Sequence, residues 1–361
     1  MTATKQLNEL GQSLWLDNIT RDLLDNGTLQ RYIDELSVTG LTSNPTIFHQ
    51  AIKNSQSYDS VIQQKFKNGQ AGEQLFFEVA LEDITQAADK FRPVWDKTDG
   101  VDGWVSLEVS PLLAYDTEST LAAAKDLHAR AGRPNVLIKI PGTKEGLPAI
   151  EEATFAGIPV NVTLLFSSEH YVDAAEAFLR GVERRIEADL NPAVGSVASL
   201  FISRWDRAIV DQAPESLHNK LGVAVGQRAY KAYVDLLNSP RWQRALNFGA
   251  RPQRLLWAST GMKDPNAPDT HYIKSLASPF TVNTIPEKTL LAFADHGEVG
   301  VALPACGGDS ESLLSEFETA GVDVQALAAK LQKDGAESFV QSWNELMDVI
   351  TTKSESLAKV D

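Results

Sequence analysis

The sequence lacks the features that mark exported, membrane-spanning or disulfide-bonded proteins. Its 361 residues include one cysteine, Cys306, which excludes an internal disulfide and a cysteine-rich zinc site and is typical of a reducing cytoplasm. No apolar run approaches the roughly 18 residues of a transmembrane helix, and residues 1–6 lead into no apolar signal-peptide core. We therefore expect a cytoplasmic protein without a membrane partner.

Positive charge is also scarce. Lys and Arg together number 33 against 48 Asp and Glu, which gives a formal net charge of -15 at pH 7. A surface of this sign repels nucleic-acid phosphates, so we expect no nucleic-acid partner. An anionic substrate would have to be held by a local group of Arg or Lys side chains.

Cofactor and metal signatures are missing as well. The chain has neither the G-x-G-x-x-G pattern of dinucleotide-binding folds nor the Walker A pattern, which disfavours NAD- and ATP-dependent enzymes. Metal-ligand spacing is absent among its histidines, which are His49, His128, His170, His218, His271 and His296. We expect no cofactor and no metal.

The sequence does contain a regular alternation of β-rich and helical segments. Eight β-rich runs fall at 13–18, 39–44, 104–109, 135–140, 160–166, 196–202, 254–259 and 280–285. Helix signals follow them; for example, one helix should begin after Asp116 and stop before Gly132, and another should begin at Ser167. Eight alternating units predict an α/β fold with a parallel sheet closed into a (β/α)8 TIM barrel, with additional helices. We interpret residues 1–361 as a single domain whose C-terminal helices start at about residue 310.

Polar side chains recur at the C-terminal ends of these strands, where barrel enzymes hold their active sites. Side chains alternate along a strand, so Ser106 and Glu108 should share the inward face. A purely structural core of Val, Ile and Leu would not need such groups. The candidates are Asp17, Asn44, Glu108, Lys139, Asn161, Thr163, Ser199, Phe201, Arg204, Ser259 and Lys263.

Lys139 is the main candidate for the chemistry, because it interrupts the apolar strand 135–141 near its C-terminal end. One interpretation is that its ammonium group only reaches solvent from the strand end. The other is Schiff-base formation, which needs a neutral amine, the form that burial favours. A lysine accompanied by two carboxylates and hydroxyls favours the second interpretation. Direct contact with Glu108 would stabilise the charged amine, so we expect Glu108 and Lys139 to communicate through a water that Thr163 could hold.

Several candidates also have an ordinary structural interpretation. Ser199 and Ser259 are weak signals when each is taken alone. Asn44 could start a turn before Pro45, Asp17 could cap a helix near Thr20, Glu108 could pair with an Arg, and Arg204 could be solvated.

Taken together, these segments resemble the transaldolase family over essentially the whole chain, and the longer bacterial branch of that family most closely. Each motif alone is a weak signal, whereas the joint match is specific. The matching segments are 40–48, 105–109, 137–141, 161–166 and 197–204, and, for the longer branch, 257–263 and 281–286.

The resemblance implies a transferase of the pentose phosphate pathway. A dihydroxyacetone unit would pass from sedoheptulose 7-phosphate to glyceraldehyde 3-phosphate, giving erythrose 4-phosphate and fructose 6-phosphate. Lys139 would form the Schiff base, Asp17 would take the proton of the C4 hydroxyl, and Glu108 would act through a water positioned by Thr163. The resemblance further implies that Asn44, Asn161 and Ser199 hold hydroxyls, that Phe201 walls the pocket, and that Arg204 and Ser259 bind phosphate.

One position departs from the family pattern. Other branches have an Arg two residues after the serine that follows strand seven, where this chain has Gly261, and we assign Lys263 to that phosphate contact. Two alternatives stay open: a fructose 6-phosphate aldolase that releases free dihydroxyacetone, and a sugar-phosphate-binding protein without catalysis. Chain length and the set of Glu108, water and Thr163 favour transfer over release. The sequence leaves the oligomeric state open between monomer and homodimer.

Overall fold

Eight parallel strands form a closed barrel in a computed structural model that describes residues 2–358. Each strand pairs with the next along the chain, and β8 pairs with β1. The strands are β1 Ser13–Asp17, β2 Val38–Thr42, β3 Val105–Glu108, β4 Val136–Pro141, β5 Val160–Leu165, β6 Ser196–Phe201, β7 Arg254–Ala258 and β8 Val282–Ile285. The predicted TIM barrel is confirmed, and every predicted strand lies within two residues of its observed bounds.

Helices cover the outside of the barrel and fill the long connections. They are α1 Ala3–Glu9, α2 Arg21–Asp25, α3 Thr28–Leu36, α4 Pro45–Asn54, α5 Asp59–Lys67, α6 Gly72–Lys97, α7 Thr117–Ala131, α8 Gly146–Phe155, α9 Ser168–Glu187, α10 Ser203–Ile209, α11 Leu221–Leu237, α12 Pro240–Asn247, α13 His271–Ser275, α14 Glu287–His296, α15 Ser310–Thr319 and α16 Val324–Leu357. Two short 3-10 helices span Pro111–Leu113 and Glu215–Leu217. Among the described residues, no helix has the length and apolar character that crossing a bilayer requires.

Helix boundaries follow the capping chemistry of the sequence. The Asp116 carboxylate accepts a hydrogen bond from the backbone N–H of Ser119 and caps α7, which ends at Gly132 in a left-handed conformation. The Ser167 hydroxyl caps α9 in the same way. Each helix then returns the chain to the start of the next parallel strand, so that the C-terminal ends of all the strands meet at one rim.

The opposite, N-terminal end of the barrel holds a buried polar network. Asp102 accepts hydrogen bonds from the Ser13 hydroxyl and from Trp15 Nε1, the latter at 2.8 Å. Arg254 donates to Ser13 Oγ at 2.6 Å and to the carbonyl oxygen of Thr281 at 2.7 Å. This network ties β1, β7 and the start of β8 together at the N-terminal end, and a polar pocket lies at the other rim.

The C-terminal helix α16 crosses that other rim. Its Gln332 side chain donates hydrogen bonds to two backbone carbonyl oxygens. One belongs to Gly142, which follows β4, and the other to Leu164, near the end of β5. Leu164 has a left-handed backbone (φ 61°), and the pairing of β5 with β6 shifts register between Val162 and Leu165. The position of α16 could not be inferred from the sequence; in the structure the helix lies over the mouth of the barrel.

Candidate active site

A pocket opens at the C-terminal rim of the barrel. All of the predicted site residues line it except Glu108, which lies behind Lys139, and Asn161, which lies beneath Ser199. The lining residues are Asp17, Thr42, Asn44, Lys139, Thr163, Ser199, Phe201, Arg204, Ala258, Ser259, Gly261, Lys263, Thr284, Pro286 and Phe339.

Lys139 and Glu108 form a direct, buried ion pair. Lys139 Nζ lies 3.1 Å from Glu108 Oε2 and 3.3 Å from the carbonyl oxygen of Ser43. The two side chains are 7% and 3% exposed, so Lys139 does not reach bulk solvent from the strand end. The expectation that a water would separate them is wrong, because β3 and β4 pair with Glu108 opposite Lys139 and both side chains point inward from neighbouring strands.

Burial changes the proton affinity of both carboxylates. It raises the pKa of Glu108, an effect that the Lys139 charge and hydrogen bond partly offset. It also raises the pKa of Asp17, against the lowering effects of Lys139, the Thr42 hydrogen bond and Lys263. Thr42 Oγ1 donates to Asp17 Oδ1 at 2.8 Å and thereby orients that carboxylate. Each carboxylate is therefore a better proton acceptor than its solvated counterpart.

Two buried oxygens near Lys139 have no hydrogen-bond partner among the described residues. They are Glu108 Oε1 and Thr163 Oγ1. Buried polar atoms are normally satisfied by protein or by ordered water. Both atoms are therefore available to a water or to a substrate hydroxyl.

A hydrogen-bond chain fixes the amide beneath the pocket. Asn161 Nδ2 donates to Ser106 Oγ at 3.0 Å, and Ser199 Oγ donates to Asn161 Oδ1 at 2.7 Å. Asn161 is fully buried, so Ser199 presents the polar surface of this chain to the pocket. Asn44 does two things at once: its side chain caps α4 by accepting from Ile47 N at 3.0 Å, and it lines the pocket. Asp17, in contrast, does not cap α2, because the hydroxyl of Thr20 does.

Two cations line the pocket without direct contact to a carboxylate among the described residues. No hydrogen bond or ion pair joins Arg204 or Lys263 to any described residue. Arg204 Cζ instead lies 4.9 Å from the centre of the Phe201 ring and 5.6 Å from that of Phe339. Lys263 Nζ lies 3.8 Å from the point that a Cβ atom on Gly261 would occupy. That separation is an ordinary van der Waals distance, so the lysine head group lies beside Gly261 in the pocket.

Ser259 completes this side of the pocket. It has a left-handed backbone (φ 57°) at the end of β7. Its hydroxyl exchanges a 2.9 Å hydrogen bond with that of Ser203, at the start of α10. A strained non-glycine residue of this kind is often found at a functional site.

Six lining residues were not among the candidates from the sequence: Thr42, Ala258, Gly261, Thr284, Pro286 and Phe339. Thr42 and Thr284 hydrogen-bond to each other through their hydroxyls, and Thr284 could have been found by applying the alternation rule to β8 as well. Pro286 follows β8 directly. Phe339 lies on α16, far along the chain from the last strand, and no sequence signal marked it. Within residues 2–358, no group of three or more His, Cys, Asp and Glu side chains is arranged to hold a metal ion.

The buried pair generates a prediction about stability and pH. Because Glu108 has a raised pKa in the folded chain, the folded state binds its proton more tightly, and stability falls as pH rises above about 4.3. Lys139→Met removes the adjacent positive charge and should deepen this loss. We expect a deficit of about 3 to 5 kcal/mol in the free energy of unfolding at pH 8, shrinking toward pH 4.

Urea unfolding at a series of pH values measures this deficit. The control is the double variant Lys139→Met with Glu108→Gln, whose own stability should not show the fall with pH that deprotonation of Glu108 causes. A single variant that keeps the wild-type pH profile would show that Glu108 carries no buried charge.

Comparison with known proteins places the chain in a family. The model of the family described as Transaldolase/Fructose-6-phosphate aldolase matches residues 14–350. A transaldolase of Arthrobacter sp. (strain FB24) is 43% identical over 96% of this chain and 96% of its own length. Transaldolases of Renibacterium salmoninarum (42%; 99% and 98%) and Thermobifida fusca (44%; 95% and 96%) match similarly. The chain belongs to the transaldolase/fructose-6-phosphate aldolase family.

Proposed function

We propose that this chain is a transaldolase that moves a dihydroxyacetone unit from sedoheptulose 7-phosphate to glyceraldehyde 3-phosphate, giving erythrose 4-phosphate and fructose 6-phosphate. The observation that carries the proposal is one pocket that holds a buried lysine against a carboxylate and, beside them, two cations free to bind an anion. The relatives named transaldolase support transfer over release of the three-carbon unit. Since these sugar phosphates are intermediates of central metabolism, we also propose a cytoplasmic location.

The first stage is imine formation at Lys139. Glu108 Oε2, which contacts the amine, takes a proton from the ammonium form and leaves a neutral nucleophile. The amine attacks the C2 carbonyl of the ketose phosphate and gives a carbinolamine. Proton transfer to the C2 hydroxyl then releases water and leaves the protonated imine. Glu108 Oε1 and Thr163 Oγ1 are placed to hold the water that relays this proton.

The second stage is cleavage of the C3–C4 bond. Asp17 accepts the proton of the C4 hydroxyl, the bond electrons move into the imine to give an enamine, and the aldose phosphate leaves. The raised pKa of Asp17 suits this role, because a more basic carboxylate accepts the proton more readily. The enamine then attacks the aldehyde of the acceptor, Asp17 returns its proton, and hydrolysis frees Lys139.

The remaining polar groups hold the substrate in place. Asn44 and Ser199 line the pocket and can bind hydroxyls of the three-carbon unit, with Asn161 fixing Ser199 from below. Arg204 and Lys263 bind the phosphate with the hydroxyl of Ser259. A chain of net charge -15 needs such a local positive site.

The first prediction of this function concerns Lys139. Borohydride with fructose 6-phosphate should add the mass of the reduced three- or six-carbon adduct to the peptide that contains Lys139. Lys139→Arg keeps the charge but cannot form the imine, so labelling and turnover should both vanish. The exposed Lys144→Arg is the matched control and should behave as wild type. Labelling of another lysine would overturn the assignment.

Product analysis in the same samples separates the rival functions. Transfer predicts sedoheptulose 7-phosphate from fructose 6-phosphate only when erythrose 4-phosphate is present. Free dihydroxyacetone formed at a comparable rate would indicate an aldolase, and binding without turnover would indicate a sugar-phosphate-binding protein.

The second prediction separates the two carboxylates. Asp17→Asn should lower turnover by about 10² to 10⁴ while an imine can still be trapped, because bond cleavage is blocked after the imine has formed. Glu108→Gln should slow trapping itself. Rapid-quench trapping measures both rates, and Asp25→Asn, an exposed aspartate on α2, serves as the control. Equal trapping rates in wild type and Glu108→Gln would contradict this division.

The third prediction concerns the phosphate. Arg204→Ala should raise KM for fructose 6-phosphate by about 10- to 150-fold, the worth of a charged hydrogen bond, and Lys263→Ala should raise it less, because Arg grips phosphate bidentately. The kcat/KM for unphosphorylated fructose should change little. Arg207→Ala, an exposed cation on the same helix as Arg204, is the control for general charge. If Lys263→Ala leaves the preference for phosphorylated sugar intact, Lys263 does not contact the phosphate.

A further inference from the structure

Arg204 is held in an unusual way for a mostly buried cation. No carboxylate, carbonyl or hydroxyl among the described residues accepts a hydrogen bond from its guanidinium group, and burial lowers its pKa. Its neighbours are two aromatic rings, Phe201 from β6 and Phe339 from α16. The centres of these rings are 6.4 Å apart at an interplanar angle of 61°.

Helix α16 is built to approach this guanidinium closely. Gln332 anchors the helix to the ends of β4 and β5 through hydrogen bonds of 3.1 and 3.0 Å. One turn further on, a Cβ atom at Gly335 would lie 3.1 Å from an Nη1 atom of Arg204, closer than most real contacts. Phe339 follows one more turn along the same face. Gly335 thus lets the backbone of α16 approach Arg204 closely, and the Phe339 ring then contacts the guanidinium group.

We propose that Phe339 is a positioning residue for phosphate binding, which holds the Arg204 side chain without using its N–H donors. The face of an aromatic ring attracts a guanidinium group, and such contacts are worth more when they are desolvated. A carboxylate in the same place would occupy the N–H groups and compete with the phosphate. The ring attracts the cation but accepts no strong hydrogen bond, so all of the donors stay available. This inference rests on the proposed role of Arg204 in binding substrate phosphate.

The same ring also lies near the reactive amine, with Lys139 Nζ 5.6 Å from its centre. A substitution of Phe339 can therefore change the chemistry at Lys139 as well as the position of Arg204. An effect on Lys139 would appear with every ketose, whereas an effect on Arg204 would appear only with phosphorylated ones. The ratio of the two substrates isolates the role that we propose.

The test is Phe339→Leu, which keeps an apolar side chain but removes the ring, together with Phe339→Met as a second ring-free variant. We expect KM for fructose 6-phosphate and the inhibition constant of inorganic phosphate to rise together by about 2- to 30-fold, the range of a cation–π contact. The preference for fructose 6-phosphate over free fructose should fall by the same factor. Phe339→Tyr, which keeps the ring, should retain that preference.

Two controls separate positioning from a loss of packing. Phe317→Leu makes the same change at a fully buried site on α15 and should leave the preference unchanged. In Arg204→Ala, adding Phe339→Leu should lower the preference no further, because Phe339 acts through Arg204.

Two outcomes would overturn the inference: an unchanged preference in both ring-free variants, or a further loss in the double variant equal to that in the single one. If the wild-type enzyme itself shows no preference for phosphorylated sugar, or if Arg204→Ala leaves it unchanged, the proposed phosphate site fails together with the inference. If Arg204→Ala lowers the preference but both ring-free variants keep it, only the role of Phe339 fails.

Discussion

The contact between Glu108 and Lys139 is the constraint around which the site is built. Two opposite charges are taken out of water at 3.1 Å, with side chains only 3% and 7% exposed. A buried ion pair costs desolvation energy that its attraction often fails to recover, so it is poor evidence for stability. The apolar layers between the barrel and its helices must offset this cost. We therefore interpret the pair as part of the catalytic machinery, because a proton can pass between the amine and the carboxylate without movement of either side chain.

The second constraint is to keep a cation without a direct carboxylate contact inside a strongly acidic protein. Elsewhere in the chain arginines meet carboxylates directly; for example, Arg133 contacts Asp89 and Arg241 contacts Glu183. Arg204 is treated differently, since aromatic rings hold it and its donors stay free. The fold thus keeps a cation in place without a direct carboxylate contact, as the proposed phosphate site requires.

Much of this architecture could be predicted, because it depends on local chemistry. Apolar strand runs, the Asp116 cap and the glycine after Ala131 defined β4 and α7 within a residue or so. Alternation along each strand then indicated which side chains face inward, including the pair Ser106 and Glu108. Alternation does not give the register of one strand relative to its neighbour, that is, which residues lie side by side. The direct contact of Glu108 with Lys139 depends on that register, so an argument from charge alone expected a water between them.

The position of α16 could not be predicted for a related reason. Periodicity shows that a helix has an apolar face but not what that face covers. The barrel supplies the missing reason, because two carbonyl oxygens are left at its rim: that of Leu164 at the irregular end of β5 and that of Gly142 just after β4. The Gln332 side chain donates a hydrogen bond to each of them. Buried carbonyls need such partners. The hydrogen bonds that complete the backbone of the barrel therefore also bring Phe339 into the pocket. The stability of the rim and the shape of the proposed phosphate site thus depend on the same helix.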